Sequence, residues 1–110
     1  MGNTIEIIQG STPTLELTIP ASIDLTNADI YFSASQFQRT VLEKKNTDGG
    51  PISVDGNIIT VNLSQMDTLQ LQEGEAKAMV NIVYNNGAIR IPTYEAPFTV
   101  ISNQIKRILV

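Results

Sequence analysis

The chain has 110 residues, with 7 Lys and Arg against 11 Asp and Glu, a net charge of −4, and no cysteine, histidine or tryptophan. That inventory excludes disulfides, Cys/His zinc sites, thiol nucleophiles and a Ser-His-Asp triad, and the acidic balance argues against a nucleic-acid partner. A chain of this size buries roughly two thirds of the surface that its unfolded form exposes, enough for one core, so a single domain over 1–110 is expected. Val, Ile and Thr outnumber Ala, Glu, Lys and Arg. That β-branched excess points to sheet.

The N-terminus carries no basic and apolar leader, and the apolar runs are far shorter than a membrane span, so no membrane insertion is expected. A short strand is expected over 4–8. Leu15, Leu17 and Ile19 then alternate with Thr14, Glu16 and Thr18, and Ala28, Ile30, Phe32 and Ala34 alternate with polar neighbours. This period of two is the signature of a strand with one buried face. Further strands are expected over 40–45 and 52–55, followed by Ile59, Val61 and Leu63 in phase. Asp55-Gly56 between two apolar runs reads as a type I′ hairpin turn.

Ser64-Gln65-Met66-Asp67 has the form of a capping box, which predicts a short helical turn near 64–69 with Leu69 as its apolar anchor. Ala76, Ala78, Val80, Ile82 and Tyr84 form the longest in-phase set, and their opposite face is half apolar, as in a central strand. Asn86-Gly87 reads as a second two-residue hairpin turn, leading to strands over 88–92 and 97–101. The whole reads as all-β, a two-sheet antiparallel β-sandwich, with Leu17, Phe32, Val61, Leu63, Val80 and Ile82 in the core.

Carboxylates are the only candidate catalytic acids or bases. Asp24, Asp29, Asp48, Asp55 and Asp67 lie at turns or strand ends, where Asp caps backbone N–H groups. No pair stands out as the two carboxylates that a glycosidase needs. Asn46-Thr47-Asp48-Gly49-Gly50 opens like a calcium loop but lacks the later acidic ligand, so no metal and no cofactor are expected. Lys44-Lys45 and Lys106-Arg107 read as solvated surface. Tyr31 and Tyr94 are candidates for an exposed aromatic platform for a sugar or a protein.

The C-terminal residues Ile108-Leu109-Val110 are apolar. With Ser102 as a cap, Ile105, Ile108 and Leu109 share one helical face, although a final strand fits equally. Ile105, Ile108, Leu109 and Val110 are therefore the candidate partner interface, docking on the chain's own sandwich or on a neighbouring subunit.

The order of these pieces resembles a family. Gln9-Gly10-Ser11-Thr12-Pro13 leads into Leu15-Glu16-Leu17, and Asp24-Leu25-Thr26-Asn27-Ala28-Asp29-Ile30-Tyr31-Phe32 follows. Next come Gly56-Asn57-Ile58-Ile59-Thr60-Val61-Asn62-Leu63-Ser64, Asp67-Thr68-Leu69, Gly74, Asn86-Gly87 and Phe98-Thr99-Val100. This series, over roughly 9–101, resembles the small immunoglobulin-like β-sandwich domains of phage and prophage tail-baseplate clusters, in particular the N-terminal domain of siphophage upper baseplate proteins. Asn27 stands where that family usually has Gly, and Ser11 where it has Asp. The resemblance implies a non-catalytic structural or adaptor protein, made in a bacterial cytoplasm and built into a virion tail. Its implied partners are other tail or baseplate proteins and further copies of itself. The alternative is a carbohydrate-binding module that uses Tyr31, Tyr94 or polar loops.

Overall fold

The computed structural model describes residues 5–46, 50–84 and 87–109, without the side chains of 93–95. In chain order the elements are β1 (Ile5–Ile8), β2 (Thr14–Thr18), β3 (Asp29–Gln36), β4 (Arg39–Lys45), β5 (Ile52–Asp55), β6 (Ile58–Asn62), α1 (Gln65–Leu69), β7 (Gly74–Tyr84) and β8 (Ile89–Ile101). They form two sheets, β1-β8-β7-β3-β4 and β2-β6-β5. The five-stranded and three-stranded sheets share one core, as in a two-sheet β-sandwich. Every pairing is antiparallel except β1 with β8, which run parallel with Ile5 opposite Phe98 and Ile8 opposite Ile101. Strands joined by a hairpin must run antiparallel, and β1 and β8, at opposite ends of the chain, are free of that constraint.

The alternation on each strand faces one shared core. Leu17, Phe32, Val61, Leu63, Val80 and Ile82 are all buried in it, with Ile19, Ile30, Ile59, Phe98 and Val100. β7 is central, between β3 and β8. That position explains why its outer face is half apolar.

Two hairpins differ from the local expectation. Asp55 pairs with Ile58, so the β5–β6 turn is Gly56-Asn57 and not Asp55-Gly56. Gly56 has φ +62 while Asn57 is not at positive φ, the signature of a type II′ turn. Tyr84 pairs with Ile89, so four residues join β7 to β8 in place of two. Gly87 has φ +94, and Asn86 lies outside the described residues.

The strands expected over 88–92 and 97–101 are one, β8, which runs through Pro92 and Pro97. Proline cannot donate to a second neighbour, and among the described residues β1 reaches only Phe98 to Ile101. A register shift between Val80 and Asn81 absorbs the irregularity opposite Pro92.

α1 forms as its capping box predicts. The Ser64 hydroxyl accepts the Asp67 N–H at 3.2 Å, and the Asp67 carboxylate accepts the Ser64 N–H at 2.8 Å. Its anchor is not Leu69, which is only partly buried, but Thr68 and the following Leu71, both fully buried. The Thr68 hydroxyl donates to the Ser11 carbonyl at 2.8 Å, which ties α1 to the loop before β2.

Strand directions sort the connections between two ends. The loop 9–13, the β3–β4 turn, α1 and residues 102–109 lie at one end, the lower end. The loop 19–28 and the β5–β6 turn lie at the upper end, joined where Ile19 N–H donates to the Asn57 carbonyl at 2.8 Å.

Candidate functional site

The exposed apolar side chains concentrate at the lower end. Residues 102–109 form neither helix nor strand there. Two glutamines hold them instead. Gln9 is buried, and its amide donates to the Leu71 carbonyl at 2.7 Å. Its side-chain oxygen accepts from the Asn103 N–H at 3.2 Å and from the Lys106 ammonium at 3.0 Å. Gln65 on α1 donates to the Leu109 carbonyl at 2.8 Å and accepts the Leu109 N–H at 2.7 Å, as a strand neighbour would.

The backbone of the segment is thus docked on its own sandwich. Its apolar side chains are not. Ile105, Ile108 and Leu109 stay 46%, 43% and 47% exposed, and Val110 lies outside the described residues. Ile8, Ile101 and Met66 are also exposed at this end. Polar groups thus pin the segment while its apolar faces are left in water.

Phe37 stands out at the same end. It forms the β3–β4 turn with Gln38 and is 73% exposed. Both residues have positive φ, +53 and +64. A side chain costs roughly 1–2 kcal/mol in this conformation, which Asn-Gly would occupy without strain. The turn is braced from below by Gln36, which is buried and clamps Gln72 reciprocally. Its amide donates to the Gln72 carbonyl at 2.7 Å, and its oxygen accepts the Gln72 N–H at 2.9 Å. The sequence shows no turn signal at Phe37-Gln38, and only the register of β3 on β4 reveals the protruding ring.

The lysine pair is not free surface. The Lys44 ammonium lies 2.8 Å from the Asp67 carboxylate and so ties β4 to α1. Burial pushes the Asp67 carboxyl up, but the Lys44 ammonium and the Ser64 N–H more than offset this and hold it below the usual range. Lys45 places its ammonium 5.2 Å from the centre of the Tyr31 ring. Lys106 is held by Gln9 and by the Ser102 hydroxyl.

Tyr31 lines a depression of roughly 530 Å³ on the outer face of the five-stranded sheet, with Glu43, Asn81 and Arg90. There Arg90 Nε donates to the Asn81 side-chain oxygen at 3.0 Å. The Lys45 ammonium already takes one face of Tyr31. The side chain of Tyr94 lies outside the described residues, so a two-tyrosine platform is not part of the described surface.

Two of the candidate carboxylates serve local structure. Asp24 accepts the Thr26 N–H at 2.9 Å, a contact that lowers its pKa, and Asp67 caps α1. Asn46, the first position of the calcium-like loop, spends its amide on the Ile30 N–H and the Ala28 carbonyl, both at 3.1 Å. Asp48 lies outside the described residues. Among the described residues no group of three or more acidic side chains is placed to hold a metal, and no helix is long and apolar enough to cross a membrane.

No protein-family model matches the chain, and no curated protein matches its sequence. Among solved structures the chain is similar to a proposed glycoside hydrolase from Bacteroides vulgatus ATCC 8482, with a TM-score of 0.54 and 10% identity. The match covers 91% of this chain and spans 17% of the other. At that identity the likeness shows the fold alone, an all-β sandwich.

Proposed function

We propose that the chain is a non-catalytic docking domain that joins other proteins of a multi-copy assembly through its lower end, and that this assembly is a phage or prophage tail baseplate. One observation carries the docking: Ile105, Ile108 and Leu109 are held out by Gln9 and Gln65, with Phe37 and Met66 at the same end. Full burial of such a side chain contributes roughly 1.5–3 kcal/mol, and these begin about half exposed. Several together offset the cost of association only because the segment is already ordered. The resemblance over 9–101 supports the tail context.

The glycoside hydrolase neighbour and the Tyr31 depression favour a second reading, a saccharide-binding module. The Lys45 ammonium over Tyr31 weighs against it, because stacking a sugar needs an open ring face.

Co-expression with the products of flanking genes tests the proposal. A stoichiometric complex with another protein of that cluster, lost when residues 105–109 are replaced by serine, is the expected result. A chain that joins none of them and binds a saccharide tightly on a glycan array would overturn it.

A further inference from the structure

We infer that copies of this chain associate head to tail, the Phe37 ring of one copy entering the upper-end depression of the next. The inference rests on the docking reading above and names its partner as a second copy. Three observations carry it.

The first is the knob. Phe37 is the most exposed large apolar side chain among the described residues, and it sits on a braced two-residue turn at positive φ. The pairing of Gln36 with Arg39 imposes positive φ on both turn residues, and the Phe37 ring projects from this turn above a Gln36 tied to Gln72. Asn or Gly would occupy this turn with less strain, so a phenylalanine here does not serve the stability of the turn itself.

The second is the hole. A depression of roughly 600 Å³ opens between the loop 19–28 and the β5–β6 turn, lined on its apolar side by Ala21, Ile23, Leu25 and Val54. It lies at the upper end, while Phe37 lies at the lower end, because β3 begins at Asp29 beside the one and ends at Gln36 beside the other. A knob and a hole on opposite ends of one molecule make a heterologous contact, which propagates as a chain or closes as a ring.

The third is charge. Arg39, exposed, follows the Phe37 turn by one residue after Gln38. Asp24 lines the hole and is fully exposed, and its carboxylate is fixed by the Thr26 N–H. Seating Phe37 brings an arginine toward this carboxylate.

Complementation in sedimentation velocity tests the inference with the full chain. Phe37→Ser removes the knob and keeps the hole. Val54→Glu blocks the hole and keeps the knob, and Asp24→Lys is a second hole variant, should the first disturb β5. Each variant must keep the sheet signal in circular dichroism. The parent is expected to show mass rising beyond a dimer with concentration, each variant to sediment as a monomer, and an equimolar mixture of Phe37→Ser with either hole variant to form a dimer and stop there.

A parent that stays monomeric at its solubility limit overturns the inference, as does a Phe37→Ser variant that associates like the parent. A mixture that remains monomeric does so too. None of these outcomes touches the co-expression result, so failure of self-association is separable from failure of docking to another protein.

Discussion

Gln9→Met removes one buried amide and keeps the length and volume of the side chain. Gln9 makes side-chain contacts with the Leu71 carbonyl at 2.7 Å, the Asn103 N–H at 3.2 Å and the Lys106 ammonium at 3.0 Å. Lys106 is exposed and regains water, so its loss counts for little. The Asn103 bond is worth about 0.5–1.5 kcal/mol. The Leu71 carbonyl belongs to a buried residue, and stranding such an acceptor costs about 1–3 kcal/mol. The expected loss is about 2–4 kcal/mol, or about 8–16 °C in melting midpoint for a domain of this size. Gln9's own backbone bonds, its N–H to Ile101 and its carbonyl from Asn103 Nδ2, remain, so β1 should stay paired. The assay is thermal unfolding by circular dichroism together with amide hydrogen exchange. Asn103 N–H should lose protection, and the core strands should keep theirs. A midpoint within about 2 °C of the parent, with Asn103 still protected, would refute the view that Gln9 pins the C-terminal segment.

Phe32→Ala should cost roughly 3–5 kcal/mol, because the ring is 1% exposed at the centre of the core, and urea unfolding measures it. The carboxyl of Asp67 is held below its unfolded value, so its contribution to stability is present above about pH 4 and is lost as pH falls through the lower folded value. Denaturant midpoints between neutral and strongly acid pH should therefore fall less steeply at the acid end in Asp67→Asn than in the parent; equal slopes would contradict this. Gly87→Val should destabilise by roughly 1–2 kcal/mol, since φ is +94 and a β-branched side chain is strained there even with open space around it. Equal unfolding midpoints would show that the β7–β8 turn relaxes.

The saccharide and docking readings divide on residues that sequence treats alike. Tyr31 falls on the outward phase of its strand and is open to either role by type alone. Only the register of β3 on β4, which sets Tyr31 opposite Lys45, puts an ammonium on its ring. In the same way Gln9 and Gln36 read as ordinary loop and strand polar residues. Their roles as clamps depend on partners 62 and 36 residues away in the chain.

Local chemistry determined much of this protein without help from tertiary structure. The period of two in Leu15–Ile19, Ala28–Ala34 and Ala76–Tyr84 marked the core faces, because successive strand side chains point to opposite sides whatever the neighbours are. The box Ser64–Asp67 marked α1, because both of its hydrogen bonds close within three residues. Tertiary structure decided what needs two distant segments at once. It set the parallel pairing of β1 with β8, which among the described residues leaves Pro92 and Pro97 on the stretch of β8 that only β7 adjoins. It put Phe37 at a positive-φ turn where no turn residue signals it, because the pairing of Gln36 with Arg39 leaves only two positions to reverse the chain. It also gave residues 102–109 their place, since a segment without its own repeating hydrogen bonds takes the shape of the side-chain amides, Gln9 and Gln65, that the fold brings beneath it.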